Sequence, residues 1–246
     1  MAPKVLFIYN DPKAPEGVLG QVFTELGFDV DVLNVVPLEQ AGDPAAARVT
    51  FPAATDYDVI VPLGSRWSVY DEALRAAWVD AEMVMVRDAV SAGVGVLGVC
   101  FGGQLVAQAL GGTVGKAAVP ELGWYDVTET GAAGSDLVMP GPWFEWHSDC
   151  FTPPPGAVEL ARTAHASQAF VLGTALGMQF HPELDIILLD QWLDDEKGPD
   201  GDVARLGIDV PALRARTRRK QQDAARRLRI LVSGFLDRVA RPVCQS

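Results

Sequence analysis

Residues 94–112 constrain this chain more than any other stretch: Val-Gly-Val-Leu-Gly-Val-Cys-Phe-Gly-Gly-Gln-Leu-Val-Ala-Gln-Ala-Leu-Gly-Gly. Val94 to Val99 is a short apolar, β-branched run. Leu105, Leu110 and the alanines around them recur at helical spacing until Gly111-Gly112 stop them, which predicts strand, sharp turn, helix. Cys100 stands on the turn. Gly98-Val99-Cys100-Phe101-Gly102 fits the elbow pattern G-x-nucleophile-x-G with cysteine as the nucleophile, where side chains at 98 and 102 would collide with neighbouring backbone. The helix N-terminus offers free N–H groups and a positive dipole end, a setting in which a cysteine attacks carbonyl carbon as a thiolate.

An elbow of this kind belongs in an α/β sheet, and the remaining elements fit one. Val5 to Tyr9 is an apolar strand, followed by a loop and a helix that runs to about Leu26 and is capped by Gly27. Phe28 to Leu33 is a second strand, residues 37–55 a loop or short helix, and Asp58 to Val61 a third strand. A helical pattern covers about Glu72 to Ser91. Repeated alternation of apolar strands with helices predicts a mostly parallel, doubly wound sheet flanked by helices, with its ligand site at the carboxyl ends of the strands.

From Thr113 to Phe180 the pattern changes to short β-type runs: 114–119, 123–129, 158–161, 169–172 and 175–180. These predict an antiparallel extension at an open end of the sheet, with Trp143 to Asp149 lying between the runs. A short helix over Ile186 to Asp194, a polar loop over Asp195 to Asp202 and a long helix after Pro211 complete the chain. Leu228, Leu231, Phe235 and Val239 share one face of that helix, so it should pack rather than dangle.

The chain has 246 residues, 49% of them apolar, enough for one large core. No run of 18 or more apolar residues occurs and the N-terminus has no signal-type pattern, which gives the expectation of a cytoplasmic protein. Three cysteines are too few and too scattered for a disulfide framework or a paired zinc site. The formal charge of −12 disfavours nucleic acid as a partner, and nothing suggests a membrane. Residues 205–246 carry 11 basic and 3 acidic residues, leaving 9 basic and 29 acidic in 1–204. The division is therefore an acidic body, 1–204, and a basic amphipathic extension, 205–246, that lies against the same domain.

A thiolate needs a proton-handling partner, and the histidines are His147, His165 and His181. His181 follows the strand predicted over 175–180, on the same carboxyl edge as Cys100. Glu183, two residues on, can orient its ring, which completes a Cys-His-Glu triad. His147 lies in an aromatic-rich string and can serve the site or make structural hydrogen bonds. His165 has no motif, and Cys150 and Cys244 lack any elbow, so all three are read as inert.

Gly98 to Gln104 together with Gly177-Met178-Gln179-Phe180-His181-Pro182-Glu183 resembles the class I, triad-type glutamine amidotransferases, in particular free-standing domains similar to the amidotransferase half of GMP synthase. Ser68 to Asp71, Glu121 to Trp124, Trp146 to Asp149 and Gln168 to Phe170 look like further landmarks in the right order, so the resemblance spans residues 56–185. It implies a flavodoxin-like fold and hydrolysis of the glutamine side-chain amide through a γ-glutamyl thioester, with no metal or cofactor. It also implies an oxyanion hole from the backbone of Phe101 and of the loop at Gly64 and Ser65. Gln104 and the backbone at Gln168, Ala169 and Phe170 would hold the amino-acid end of the substrate. The family usually carries Gly-Gly-Pro where this chain has Gly64-Ser65-Arg66.

The leading reading is a glutaminase that passes ammonia to a separate acceptor synthase, for which the basic extension is a candidate docking element. A γ-glutamyl peptide or amide hydrolase uses the same chemistry on the same carbonyl. The departure at Ser65 leaves a third reading open, a catalytically silent binding or regulatory protein.

Overall fold

The computed structural model describes residues 2–196 and 198–240. In chain order the strands are β1 (Lys4–Tyr9), β2 (Asp29–Asn34), β3 (Val59–Pro62), β4 (Gly95–Val99), β5 (Thr113–Glu129), β6 (Gly141–Thr152), β7 (Val158–Arg162), β8 (Ser167–Leu172) and β9 (Ala175–Met178). The helices are α1 (Gly17–Glu25), α2 (Glu72–Leu74), α3 (Asp80–Ser91), α4 (Phe101–Ala109), α5 (Ile186–Asp195), α6 (Asp202–Arg205) and α7 (Val210–Arg238). Among the described residues the strands form one sheet in the order β2-β1-β3-β4-β9-β8-β7-β5-β6. The first five in that order run parallel, and the pairs from β9–β8 outward are antiparallel.

Burial explains the arrangement. Every residue of β3, β4 and β9 is buried, as central strands covered on both faces must be. Alternation along β1 sorts its side chains between two cores. Val5 and Phe7 meet Leu19 and Phe23 of α1 and Leu231 and Phe235 of α7 on one face. Leu6 and Ile8 meet Met83 and Val86 of α3 and Leu105 and Val106 of α4 on the other. A third cluster ties Leu122, Trp124 and Phe144 of the β5–β6 arm to α5 and Leu213 of α7.

The long helix after Pro211 is present. Asp209 caps it through Ala212 N–H at 3.0 Å, and Leu228, Leu231 and Phe235 are fully buried. Its arginines reach acids on other elements: Arg214 to Asp190, Arg229 to Glu25 and Arg238 to Asp136.

Several expectations are corrected. The runs 114–119 and 123–129 are one strand, β5, whose register on β6 shifts between Lys116 and Glu121; Pro120, lacking an N–H, falls in that shift. Trp143 to Asp149 is not a connection between strands but the middle of β6. β9 is not part of a purely antiparallel extension, for it pairs parallel with β4 and antiparallel with β8. An apolar run marks a strand as central without fixing its neighbours' directions. The helix predicted over 72–91 contains a π-helical stretch at Arg75–Val79. Residues 37–55, expected as a loop or short helix, hold 3-10 turns at Leu38–Gln40 and Pro44–Ala46, and a third, Ala54–Asp56, begins at their end. No described helix is long and apolar enough to cross a membrane.

Candidate active site

The carboxyl ends of β1, β3, β4 and β9 deliver Asp11, Gly64, Cys100 and His181 to one cleft of about 490 Å³. Cys100 has φ 51° and ψ −109°, and it alone among the described non-glycine residues has positive φ. Such a conformation costs about 1–3 kcal/mol and persists only where surroundings enforce it. They do so here: Cys100 N–H donates to the Met178 carbonyl at 2.8 Å, and Gln104 N–H to the Cys100 carbonyl at 2.9 Å. A Cβ at Gly102 would lie 2.0 Å from the Pro62 carbonyl oxygen, and one at Gly98 2.5 Å from that of Gly102. No side chain fits at either position.

His181 is fixed by its N–H, which donates to the Phe144 carbonyl at 2.8 Å, and by Nδ1, 2.7 Å from Glu183 Oε1. Trp192 of α5 packs edge-on against the ring at 4.9 Å between centroids. Burial alone would push the imidazole's pKa down. The facing Glu183 carboxylate and Cys100, charge and hydrogen-bond partners of the ring, more than offset this and hold it well above the usual histidine value. Gly64 wedges between the two: a Cβ there would lie 3.2 Å from His181 Cε1 and 3.9 Å from Cys100 Cβ.

The loop beyond Gly64 is tied down by side chains. Ser65 Oγ accepts from Trp67 N–H at 3.1 Å, and Arg66 grips Asp11 through Nε at 2.6 Å and Nη2 at 3.2 Å. This fork stands where the family pattern has proline. Phe101 opens α4, so its N–H has no carbonyl within the helix to bond.

Gln104 lines the cleft, and its Nε2 donates to the Asp149 carbonyl at 3.0 Å and to Gln179 Oε1 at 3.3 Å. Gln179 Nε2 in turn lies 3.8 Å from Cys100 Sγ. Gln168, Ala169 and Phe170 are not brought to the cleft. They are fully buried, their backbone runs through the β8–β9 pairing, and Gln168 Nε2 donates to Glu121 Oε2 at 2.9 Å.

One wall of the cleft is formed instead by Trp146 to Asp149 of β6. Asp149 is anchored by Ser68 Oγ at 2.5 Å, Tyr70 OH at 2.8 Å and Lys116 Nζ at 2.9 Å. Burial would raise its pKa, but these donors hold it below the usual carboxylate range. Residues after Glu183 roof the opening: Trp146 Nε1 donates to Asp202 Oδ2 at 3.3 Å, Arg205 Nη2 to Ser148 Oγ at 3.3 Å, and Lys13 pairs with Asp195. The Trp-His-Ser-Asp string signalled the wall; no spacing signalled Trp192 or the roof.

His165 is exposed, and Cys150 is a half-buried thiol whose pKa burial pushes up. Cys244 lies outside the described residues. Glu121, Glu145 and His147 form a buried group whose ligand-type atoms lie within 4.8 Å of one another, the described set closest to a metal-binding arrangement.

A strained cysteine on a strand-to-helix turn, facing a carboxylate-held histidine, is the arrangement that cysteine-nucleophile amidohydrolases use. The model of the family "Glutamine amidotransferase class-I" matches residues 19–191, and the chain belongs to that enzyme family. It is 33% identical over 182 residues to the glutamine-hydrolyzing GMP synthase of Aeropyrum pernix, covering 69% of this chain and 32% of that protein. It is also 33% identical over 138 residues to a glutamine-hydrolyzing GMP synthase subunit of Sulfurisphaera tokodaii, covering 52% of this chain and 69% of that protein. The chain thus spans about a third of the length of the Aeropyrum relative. A glutamine amidotransferase of Thermotoga maritima superposes with a TM-score of 0.81 at 24% identity, covering 98% of this chain and all of that one. One from Methylobacillus flagellatus gives 0.82 at 23%, covering 100% and 98%. Both share the fold, a mostly parallel flavodoxin-like α/β sheet.

Proposed function

We propose that this chain hydrolyses the side-chain amide of glutamine through Cys100, His181 and Glu183. The observation that carries the reading is the convergence of a strained cysteine and a Glu183-held imidazole on one cleft. The Cys100 thiolate attacks the amide carbon, and the oxyanion takes the free N–H of Phe101 and one from the loop at Gly64 and Ser65. Each such donor is worth ~10²–10³ in kcat. His181 gives its proton to the departing ammonia, leaving a γ-glutamyl thioester on Cys100, then takes a proton from the attacking water. Glu183 keeps Nδ1 protonated and aimed, so Nε2 does the transfer. Gln104 and the wall residues Trp146, Ser148 and Asp149 hold the amino-acid end.

The name of the Sulfurisphaera relative, one subunit of a glutamine-hydrolyzing synthase, supports an ammonia acceptor on a separate chain. A second reading, hydrolysis of γ-glutamyl amides or peptides, is favoured by the cleft itself. Its volume falls in the range of sites for drug-sized ligands, ~300–1,000 Å³, and Trp67, Trp146 and Trp192 line it beyond the nucleophile. Competition decides between them. Purified enzyme offered L-glutamine with γ-glutamyl peptides and γ-glutamyl alkylamides should release glutamate mainly from glutamine; preference for the substituted amides, measured as kcat/KM, would select the second reading.

A further inference from the structure

Behind the cleft wall, His147 stands between two buried glutamates. Its side chain is 1% exposed, and those of Glu121 and Glu145 are fully buried. Nδ1 lies 3.0 Å from the Asp149 carbonyl, which can only accept, so Nδ1 carries a proton. Nε2 lies 3.2 Å from Glu121 Oε2 and 3.4 Å from Glu145 Oε2. A bare lone pair aimed at two carboxylate oxygens in a sealed interior is unfavourable, so a proton belongs there too. A metal ion fits less well, because Glu121 Oε2 already accepts from Gln168 Nε2 at 2.9 Å and Thr163 Oγ1 at 3.2 Å. Apart from the His147 ring, no donor among the described residues reaches either Glu145 oxygen.

The cluster is wired to the nucleophile. The Asp149 carbonyl that receives His147 also receives Gln104, which bonds Gln179, whose Nε2 faces Cys100 Sγ. We propose that His147 is a positioning residue for the nucleophile, held by Glu121 and Glu145 as a permanent buried cation that supports the Cys100 thiolate in addition to His181. This rests on the reading of Cys100 and His181 as nucleophile and base. The groups facing His147 are Glu121 from β5, Glu145 and the Asp149 carbonyl from β6, and Cys100 from the elbow; His181 faces Glu145 from the end of β9. Burial alone would lower the pKa of His147, but the two glutamates and Cys100 raise it to about 10, while burial lifts that of Glu145 to about 7.

The test is the rate of iodoacetamide alkylation of Cys100, read by peptide mass spectrometry at pH 6.5 with Cys150 as internal reference. His147→Gln should slow it ~tenfold and Glu121→Gln by a smaller factor, without loss of the folded state. ¹⁵N-histidine spectra of the wild type, which need no variant to fold, should show both His147 ring nitrogens protonated from pH 6 to 8. A neutral His147 ring, unchanged alkylation in the folded variants, or one tightly bound metal ion per chain by elemental analysis would overturn the proposal. A wild-type Cys100 no faster than Cys150 would overturn the nucleophile reading and this inference together. A fast wild type with unmoved variants would overturn this inference alone.

Discussion

Cys100 and Gly64 illustrate how much of the site depends on single atoms. The thiol is aimed because Gly98 and Gly102 let two backbones touch, and the imidazole reaches it because position 64 has no Cβ. Gly64→Ala places a methyl 3.2 Å from His181 Cε1, so the ring must give way. The expected outcome is a fall in kcat of ~10²-fold with a melting temperature near wild type, measured by steady-state kinetics and calorimetry. A buried acid supports the same loop: Asn10 Nδ2 donates to the Leu63 carbonyl and to Glu82 Oε1, each at 3.3 Å. Burial lifts the pKa of Glu82 to about 8, against the opposing Asn10 hydrogen bond. The native state therefore keeps a proton that the unfolded chain loses near 4.5, so stability falls as pH rises through that window, by at most about 1.4 kcal/mol per pH unit. Glu82→Gln should flatten thermal stability between pH 5.5 and 8; an unchanged slope would place the titration elsewhere. The convergence of Cys100 and His181 on one cleft was legible because elbow glycines and the His-Pro-Glu string are local patterns. Asn10, Glu82 and the Asp11 clamp on Arg66 were not, because their partners are 53 to 72 residues away.

At the scale of elements, periodicity revealed α7 and the β4–α4 unit, since each repeats its apolar positions along one segment. It did not reveal that Trp143 to Asp149 pairs with β5, or that β9 inserts between β4 and β8, because pairing is decided by distant strands. The burial of Gln168, Ala169 and Phe170 has the same cause: a motif gives proximity along the chain, while the β8–β9 ladder turns those residues into the core. α7 is the element whose packing is most open to test. Phe235 is fully buried against the β1, β3 and β4 core, and Phe235→Ala should cost ~3–5 kcal/mol in urea unfolding. A cost below ~1 kcal/mol would mean that the helix is an appendage rather than part of the fold.

For the whole molecule, the charge asymmetry is resolved internally at several points, where arginines of α7 meet Glu25, Asp136 and Asp190. Sheet, elbow and roof then act together: the parallel strands aim Cys100 and His181 at one cleft, and α5 and α6 close over it through Trp192, Asp195 and Asp202. Glutamate release from L-glutamine by the wild type beside Cys100→Ala tests this account most directly. Turnover is expected in the wild type and a loss of ~10³-fold or more in the variant, with the fold intact. Equal rates in the two proteins would contradict it.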